Sequence, residues 1–148
     1  LSLFPPQDTI DKISTGQTGR LGELLAAYYL EMYGIGTEII RGIGSDLWCR
    51  RSDGMMFTCE VKTCHIPYVQ GSSCVTPSYR FHIHSDVQRS ADIHALVALD
   101  IGGVHFMDTC ELPAGGKKIL KAHRFNESWI FPSLETALKS VVENKKAA

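Results

Sequence analysis

The chain has 148 residues, of which 44% are hydrophobic and 21% charged, and its formal net charge is −1 at pH 7. This length and composition are typical of a single folded domain spanning residues 1–148, and they exclude a largely disordered or collagen-like chain. The sequence contains no uninterrupted apolar stretch long enough to cross a bilayer, so no membrane span is expected.

The N-terminal residues and the cysteines both favour a cytoplasmic protein. The opening LSLFPPQDT lacks the basic start, long apolar stretch and small-residue cleavage site of a signal peptide. Five cysteines, an odd number without a Cys-x-x-Cys pair, favour free thiols in a reducing compartment over a disulfide framework. A zinc site built from Cys59, Cys64, His65 and Cys74 is an alternative, although their spacing matches no standard zinc pattern.

The first predicted element is a helix over residues 18–33, which Gly34 ends. Its large apolar residues recur at spacings of three and four, as on the buried face of an amphipathic helix: Leu21, Leu24, Leu25, Tyr28, Tyr29 and Met32. Three strands are predicted next, because their residues are β-branched or alternate between apolar and polar side chains: 37–41, 46–51 and 55–63.

A Ser-Asp-Gly loop between the second and third strands indicates how these strands pair. In a three-residue hairpin loop the final Gly takes the left-handed conformation without strain. If Arg51 pairs with Met55, then Asp46 lies opposite Glu60, and Lys62 follows two residues later on the same face. The other face then carries only residues suited to a core, which supports this register: Leu47, Cys49, Phe57, Cys59 and Val61.

The remaining predicted elements are a strand, a short helix or turn, two strands of a hairpin, and an amphipathic helix: residues 79–84, 85–91, 95–100, 104–107 and 134–142. Ser133 is the predicted N-cap of the last helix, because it follows Pro132 directly. The order of elements predicts an α/β domain built on one mixed β-sheet.

Asp46, Glu60 and Lys62 form a constellation suited to metal-assisted phosphodiester chemistry. Two neighbouring carboxylates repel each other unless a cation joins them. Mg²⁺ prefers such oxygen ligands and can hold a phosphate at the same time. A lysine on the same face can orient a water or neutralise charge that develops in the transition state. A surface ion pair between Glu60 and Lys62 is the alternative without chemistry.

Ser45-Asp46 and Glu60-Val61-Lys62, separated by thirteen residues, resemble the signature of the PD-(D/E)XK nuclease superfamily. Ser45 stands where the signature usually has Pro. The preceding helix of that family often carries another acid, and Glu23 matches it. The resemblance covers residues 19–63, and a weaker similarity to Holliday-junction-resolvase-like and group I intron homing members extends to the strands near residues 80 and 95.

The resemblance implies a restriction-endonuclease-like fold, a central mixed sheet flanked by helices, that hydrolyses phosphodiester bonds in DNA. The implied cofactor is Mg²⁺, for which Mn²⁺ can substitute, bound by Asp46, Glu60 and the backbone carbonyl of Val61. Lys62 is then expected to orient the attacking water, and Glu23 to support the metal. Because a domain of this size has little surface for reading a duplex, we expect a homodimer or a dimer of dimers.

Basic residues supply candidate contacts to the phosphates of double-stranded or branched DNA. The predicted contacts are Arg50, Arg51, Arg80 and Arg89. The basic cluster at residues 117–124 is either a further DNA contact or solvated surface. The net charge of −1 leaves open a function of another class, a catalytically inactive nucleic-acid-binding or assembly module on the same fold.

Overall fold

A computed structural model describes residues 12–40, 45–68, 77–84 and 91–147 of the chain. The regular elements, in chain order, are α1 (Thr15–Met32), β1 (Gly36–Ile39), β2 (Leu47–Arg50), β3 (Met56–Cys64), β4 (Ser78–Ile83), β5 (Ile93–Ala98), β6 (Gly103–Asp108), β7 (Gly116–Lys121) and α2 (Glu127–Ala147). No helix in the described part of the chain is long and apolar enough to cross a membrane. The predicted turn or short helix at 85–91 lies almost wholly outside the described residues.

Five strands form a mixed sheet in the order β1-β2-β3-β5-β6. Strands β3 and β5 are parallel, and the other neighbouring strands are antiparallel. Strands β4 and β7 pair with each other as a separate antiparallel ribbon. The predicted α/β class with a central mixed sheet is therefore confirmed, and β3 lies in the middle of that sheet.

The sheet is covered on both faces, and each face has its own hydrophobic core. On one face, α1 and α2 pack against residues such as Ala95 and Val97 of β5. On the other face, the β4–β7 ribbon packs against Leu96 and Ala98 of the same strand. All six residues of β5 are buried, as expected of a strand that is covered on both sides.

Helix α1 begins at Thr15 because Ser14 and Gln17 form a capping box. The Gln17 backbone N–H donates to the Ser14 hydroxyl oxygen at 3.2 Å, and the Ser14 backbone N–H donates to Gln17 Oε1 at 2.8 Å. Gly34 follows the last turn with φ +87°, in the left-handed region that commonly ends a helix. The predicted end of the helix is therefore confirmed.

Only part of the predicted apolar face of α1 packs on the core, where Leu25 and Tyr29 are partly buried. The helix is buried through Thr18, Gly22, Ala26 and Leu30. Four of the predicted core residues are instead 40–63% exposed: Leu21, Leu24, Tyr28 and Met32. The prediction is wrong for these four. The spacing of large apolar residues marks one face of the helix, but the face with small residues is the one that packs on the sheet.

Helix α2 starts at Glu127, six residues before the predicted cap. Ser133 is not an N-cap. It lies inside the helix and is buried, and its hydroxyl donates to the Ile130 carbonyl at 2.7 Å and accepts from the Phe106 N–H at 3.0 Å. The prediction failed because Pro132 was interpreted as a helix boundary, whereas the buried residues on both sides of it hold the helix against β6.

Candidate active site

Strands β2 and β3 pair in the predicted register. Leu47 lies opposite Cys59, and the Arg51 N–H donates to the Met55 carbonyl at 2.9 Å. Gly54 closes the loop with φ +87°, in the left-handed region expected of a hairpin glycine. This register directs Asp46, the residue before β2, toward Glu60.

Asp46 is held against β3 by both its backbone and its side chain. Its backbone N–H donates to the Cys59 carbonyl at 3.0 Å, while its Oδ2 accepts from the Val61 N–H at 2.7 Å. The Asp46 carboxylate is thereby held against β3 at the position of Glu60 and Val61.

Alternation along β3 sorts its side chains between the two faces of the sheet. Cys59 and Val61 belong to the core beneath the helices. Glu60 and Lys62 point to the other face, where their neighbours in register on β5 are His94 and Leu96. The acid and the lysine thus share the face that the ribbon partly covers.

Glu60 is a buried carboxyl, 6% exposed, that contacts a cation and another acid. Its Oε1 accepts from Lys62 Nζ at 3.0 Å, and the Lys62 side chain is only 16% exposed. Burial raises the pKa of Glu60, the nearby Asp46 charge raises it further, and Lys62 opposes both effects. The ion pair between Glu60 and Lys62 therefore forms, but most of it is buried and it does not lie on the open surface.

A groove of about 600 Å³ leads to Asp46 from the side of α1. Glu23 and Arg20 on α1 line it, together with Ile39 and Ile40 at the end of β1. Within the described ranges, no three His, Cys, Asp or Glu side chains gather as a metal site. Glu23 therefore lines the same groove as Asp46 without completing a three-acid cluster.

The donor set at this position fits Mg²⁺ by its chemistry. Mg²⁺ keeps several of its waters and commonly takes only one or two carboxylates from a protein. Asp46 and Glu60 supply two carboxylates, and burial together with the nearby charge of Asp46 raises the pKa of Glu60. Keeping Glu60 ionised in this buried position next to Asp46 costs free energy. A divalent cation between the two acids would offset that cost.

The predicted arginine contacts are scattered rather than gathered at the acids. Arg50 is exposed on β2, four residues and about 13 Å along the strand from Asp46. Arg51 pairs with Asp53 at 2.9 Å beside the hairpin turn. The Arg80 guanidinium stacks on the Tyr68 ring, 3.6 Å from its centroid, and Arg89 lies outside the described residues.

Two features of the site were not predicted. His94 is buried beside Glu60 on β5, with its Nδ1 2.9 Å from Thr109 Oγ1, and its apolar sequence context carried no signal for that position. Lys117 and Lys121 lie on β7 and pair with β4. Their strand was missed because Lys residues interrupt its apolar alternation.

Comparison with known proteins shows a shared fold. No protein-family model matches the chain, and no curated protein matches it. Among solved structures, the chain is similar to a bacterial homing endonuclease, I-Ssp6803I, with a TM-score of 0.59 and 14% sequence identity over 91% of this chain and 99% of that chain. The two chains therefore share nearly the whole architecture, at an identity that bears on the fold alone.

The electrostatics of Glu60 predict that Glu60→Gln is more stable than the wild type at neutral pH in EDTA. The folded-state pKa of Glu60 lies above its ordinary value of 4.5, so the folded state holds this proton more tightly than the unfolded state does. The stability of the wild type therefore falls as pH rises through the raised pKa, whereas glutamine does not titrate.

Urea unfolding of both proteins between pH 4 and pH 8 measures this difference. Glu60→Gln should have a larger free energy of unfolding than the wild type at pH 8, and this difference should shrink toward pH 4. A wild type that is the more stable protein at pH 8 would show that the Lys62 ion pair outweighs the burial and repulsion.

Proposed function

We propose that this chain is a metal-dependent DNA endonuclease of the PD-(D/E)XK type, with Asp46, Glu60 and Lys62 in its active site. The observation that carries the proposal is the buried Glu60 carboxyl, which contacts Lys62 Nζ at 3.0 Å and is destabilised by Asp46. Asp46 is half-buried beside it, and a protein rarely buries one acid next to another unless enough positive charge is present to neutralise both. The shared fold with a homing endonuclease supports the same assignment.

Asp46 and Glu60, with the backbone carbonyl of Val61, would hold Mg²⁺ or Mn²⁺. A divalent cation bound there supplies charge stabilisation at the phosphorus and lowers the pKa of a coordinated water. Asp46 is positioned for this role by the Val61 N–H, which holds one carboxylate oxygen. Glu23 on α1 lines the same groove as Asp46 and would support the metal through water.

Lys62 provides the positive charge that the chain itself contributes to the reaction. Its ammonium group lies next to Glu60 and retains partial access to solvent. From there it can donate a hydrogen bond to the attacking water or to a non-bridging phosphate oxygen, and so stabilise the charge of the transition state. Partial burial strengthens this effect, because water screens the charge less.

Titration of Mn²⁺ by calorimetry tests the metal part of the proposal and separates it from the alternative of an inactive binding module. We expect the wild type to bind Mn²⁺, and Asp46→Asn to bind it roughly tenfold or more weakly, because one of few oxygen ligands loses its charge. Glu38→Gln, which removes an exposed acid from β1, is the matched control. If the wild type binds neither Mn²⁺ nor Mg²⁺, the inactive-module alternative is favoured.

We also propose that the protein acts as a homodimer that pairs through α1. Leu21, Leu24, Tyr28 and Met32 are all exposed and follow one stripe of the helix. A second copy in antiparallel orientation would place Leu24 of one helix against Tyr28 of the other. Arg20 and Glu31 are eleven residues apart, about three turns, on one edge of this stripe. The same orientation therefore brings Arg20 of each copy toward Glu31 of the other.

Light scattering after size-exclusion chromatography tests the dimer at micromolar protein. Leu24→Lys is expected to convert a dimer into a monomer, whereas Ile66→Lys, which changes an exposed apolar residue elsewhere, should leave it intact. A monomeric wild type contradicts the dimer and points to coverage of the stripe by another segment or another protein.

A further inference from the structure

The β4–β7 ribbon has one apolar face and one basic face. Tyr79, Phe81 and Leu120 are buried in the core beneath it. Because side chains alternate along each strand, the outer face carries three cross-strand pairs: Ser78 with Lys121, Arg80 with Ile119, and His82 with Lys117.

The ribbon concentrates positive charge in a chain whose net charge is close to zero. Strands β4 and β7 contain four of the fifteen lysines and arginines of the chain and none of its sixteen acidic residues. Arg80, Lys117 and Lys121 belong to the outer face, whereas Lys118 pairs with Phe81 on the inner side. His82, Lys117 and Lys121 are exposed. The net charge of −1 is therefore no obstacle to binding a polyanion, because local charge governs the interaction.

Arg80 is held in place at the centre of this face. Its guanidinium lies 3.6 Å from the centroid of the Tyr68 ring, and Tyr68 is itself joined to β4 through backbone hydrogen bonds with Ser78. Stacking fixes the orientation of the guanidinium and leaves its charge intact. The side chain therefore loses little conformational freedom on binding a phosphate.

The ribbon lies on the same face of the main sheet as the candidate active site. Its apolar side packs on Leu96 and Ala98 of β5, which are the register neighbours of Lys62 and Cys64 on β3. A duplex resting on the outer face of the ribbon would thus lie on the side of the sheet where Glu60 and Lys62 point.

From this arrangement we propose that the outer face of the β4–β7 ribbon is a DNA-binding surface that seats the duplex beside the active site. The inference rests on the proposed nuclease function. A two-stranded β-ribbon fits the major groove of B-DNA, which is about 12 Å wide. Arg80, Lys117 and Lys121 contact phosphates, while Ile119, 52% exposed at the centre of the face, is of the type that contacts thymine methyl groups.

The salt dependence of duplex binding tests this surface. Fluorescence anisotropy with a labelled duplex of random sequence, in EDTA, gives the association constant at several KCl concentrations. In Lys117→Ala/Lys121→Ala, the slope of log K against log salt should become shallower by about 1.8, and binding at 0.1 M salt should weaken on the order of 50-fold. Lys139→Ala/Lys146→Ala removes two exposed lysines from α2 and should match the wild type.

The outcomes separate this inference from the function on which it rests. If the wild type binds and cleaves DNA but the ribbon variant keeps its slope and affinity, the surface assignment is overturned and the nuclease remains. If binding depends on the ribbon lysines but nothing is cleaved, the surface stands and the catalytic proposal fails. A wild type that does not bind duplex even at low salt overturns the surface assignment, while cleavage of plasmid or junction DNA in Mg²⁺ still decides the nuclease proposal.

Discussion

Glu60→Gln is expected to lower the rate of DNA cleavage by roughly 10³-fold while the protein stays folded. The Gln side chain preserves the volume of the buried group but cannot supply the negative charge that a divalent cation needs. Single-turnover cleavage with saturating Mg²⁺ measures the chemical step directly. Glu38→Gln on the exposed strand β1 is the control and should cleave at the wild-type rate.

Lys62→Met should produce a loss of similar size through a different mechanism. Met retains the apolar stem and removes the ammonium that lies 3.0 Å from Glu60 Oε1. Metal binding should survive in this variant, in contrast to Glu60→Gln, because no ligand is changed. If Lys62→Met cleaves DNA at the wild-type rate, the lysine is a structural partner of Glu60 and takes no part in the chemistry.

The second large effect is expected at the contact between α1 and β3. A Cβ added at Gly22 would lie 1.8 Å from Thr63 Oγ1, so Gly22→Ala forces the helix away from the strand. We expect a loss of about 1–3 kcal/mol in the free energy of unfolding, typical of an overpacked interior. Since Glu23 follows directly and lines the groove at Asp46, cleavage should fall as well.

Gly19→Ala is the matched control, because it lies one turn earlier in the same helix and its Cβ would meet nothing within 4 Å. Replacing that glycine should stabilise the helix by about 0.5–1 kcal/mol, through the lower chain entropy of alanine in the unfolded state. Urea unfolding of the two variants measures both effects. Equal stabilities would mean that α1 does not approach β3 as closely as described.

The hairpin could be predicted from the sequence because two independent signals agree there. The Ser-Asp-Gly loop sets the pairing of β2 with β3, and the alternation of Cys59 and Val61 with Glu60 and Lys62 requires the same register. A shift by one residue would have buried charges and exposed apolar side chains. Local chemistry was therefore enough to bring Asp46 to Glu60.

Features that depend on tertiary packing were predicted less well. The large apolar residues of α1 mark one face of the helix in the sequence, and only the close approach of Gly22 to Thr63 shows that the small-residue face is the buried one. Similarly, β7 becomes a strand because Leu120 and its neighbours complete a core with β4, although its lysines obscure the alternation. The sequence shows the basic cluster at residues 117–124, but which of its lysines share a face with Arg80 follows only from the pairing of β4 with β7.

Incubation of supercoiled plasmid and of four-way-junction DNA with the wild type, in Mg²⁺ and separately in EDTA, tests whether the protein is a metal-dependent endonuclease with Glu60 in its active site. We expect nicking or resolution of at least one substrate in Mg²⁺ and no product in EDTA. Within the time that the wild type needs to consume its substrate, we expect no detectable product from Glu60→Gln in either buffer. Cleavage that persists in EDTA or in Glu60→Gln would contradict a metal site at Asp46 and Glu60. An intact plasmid and an intact junction under every condition would instead favour the inactive binding module.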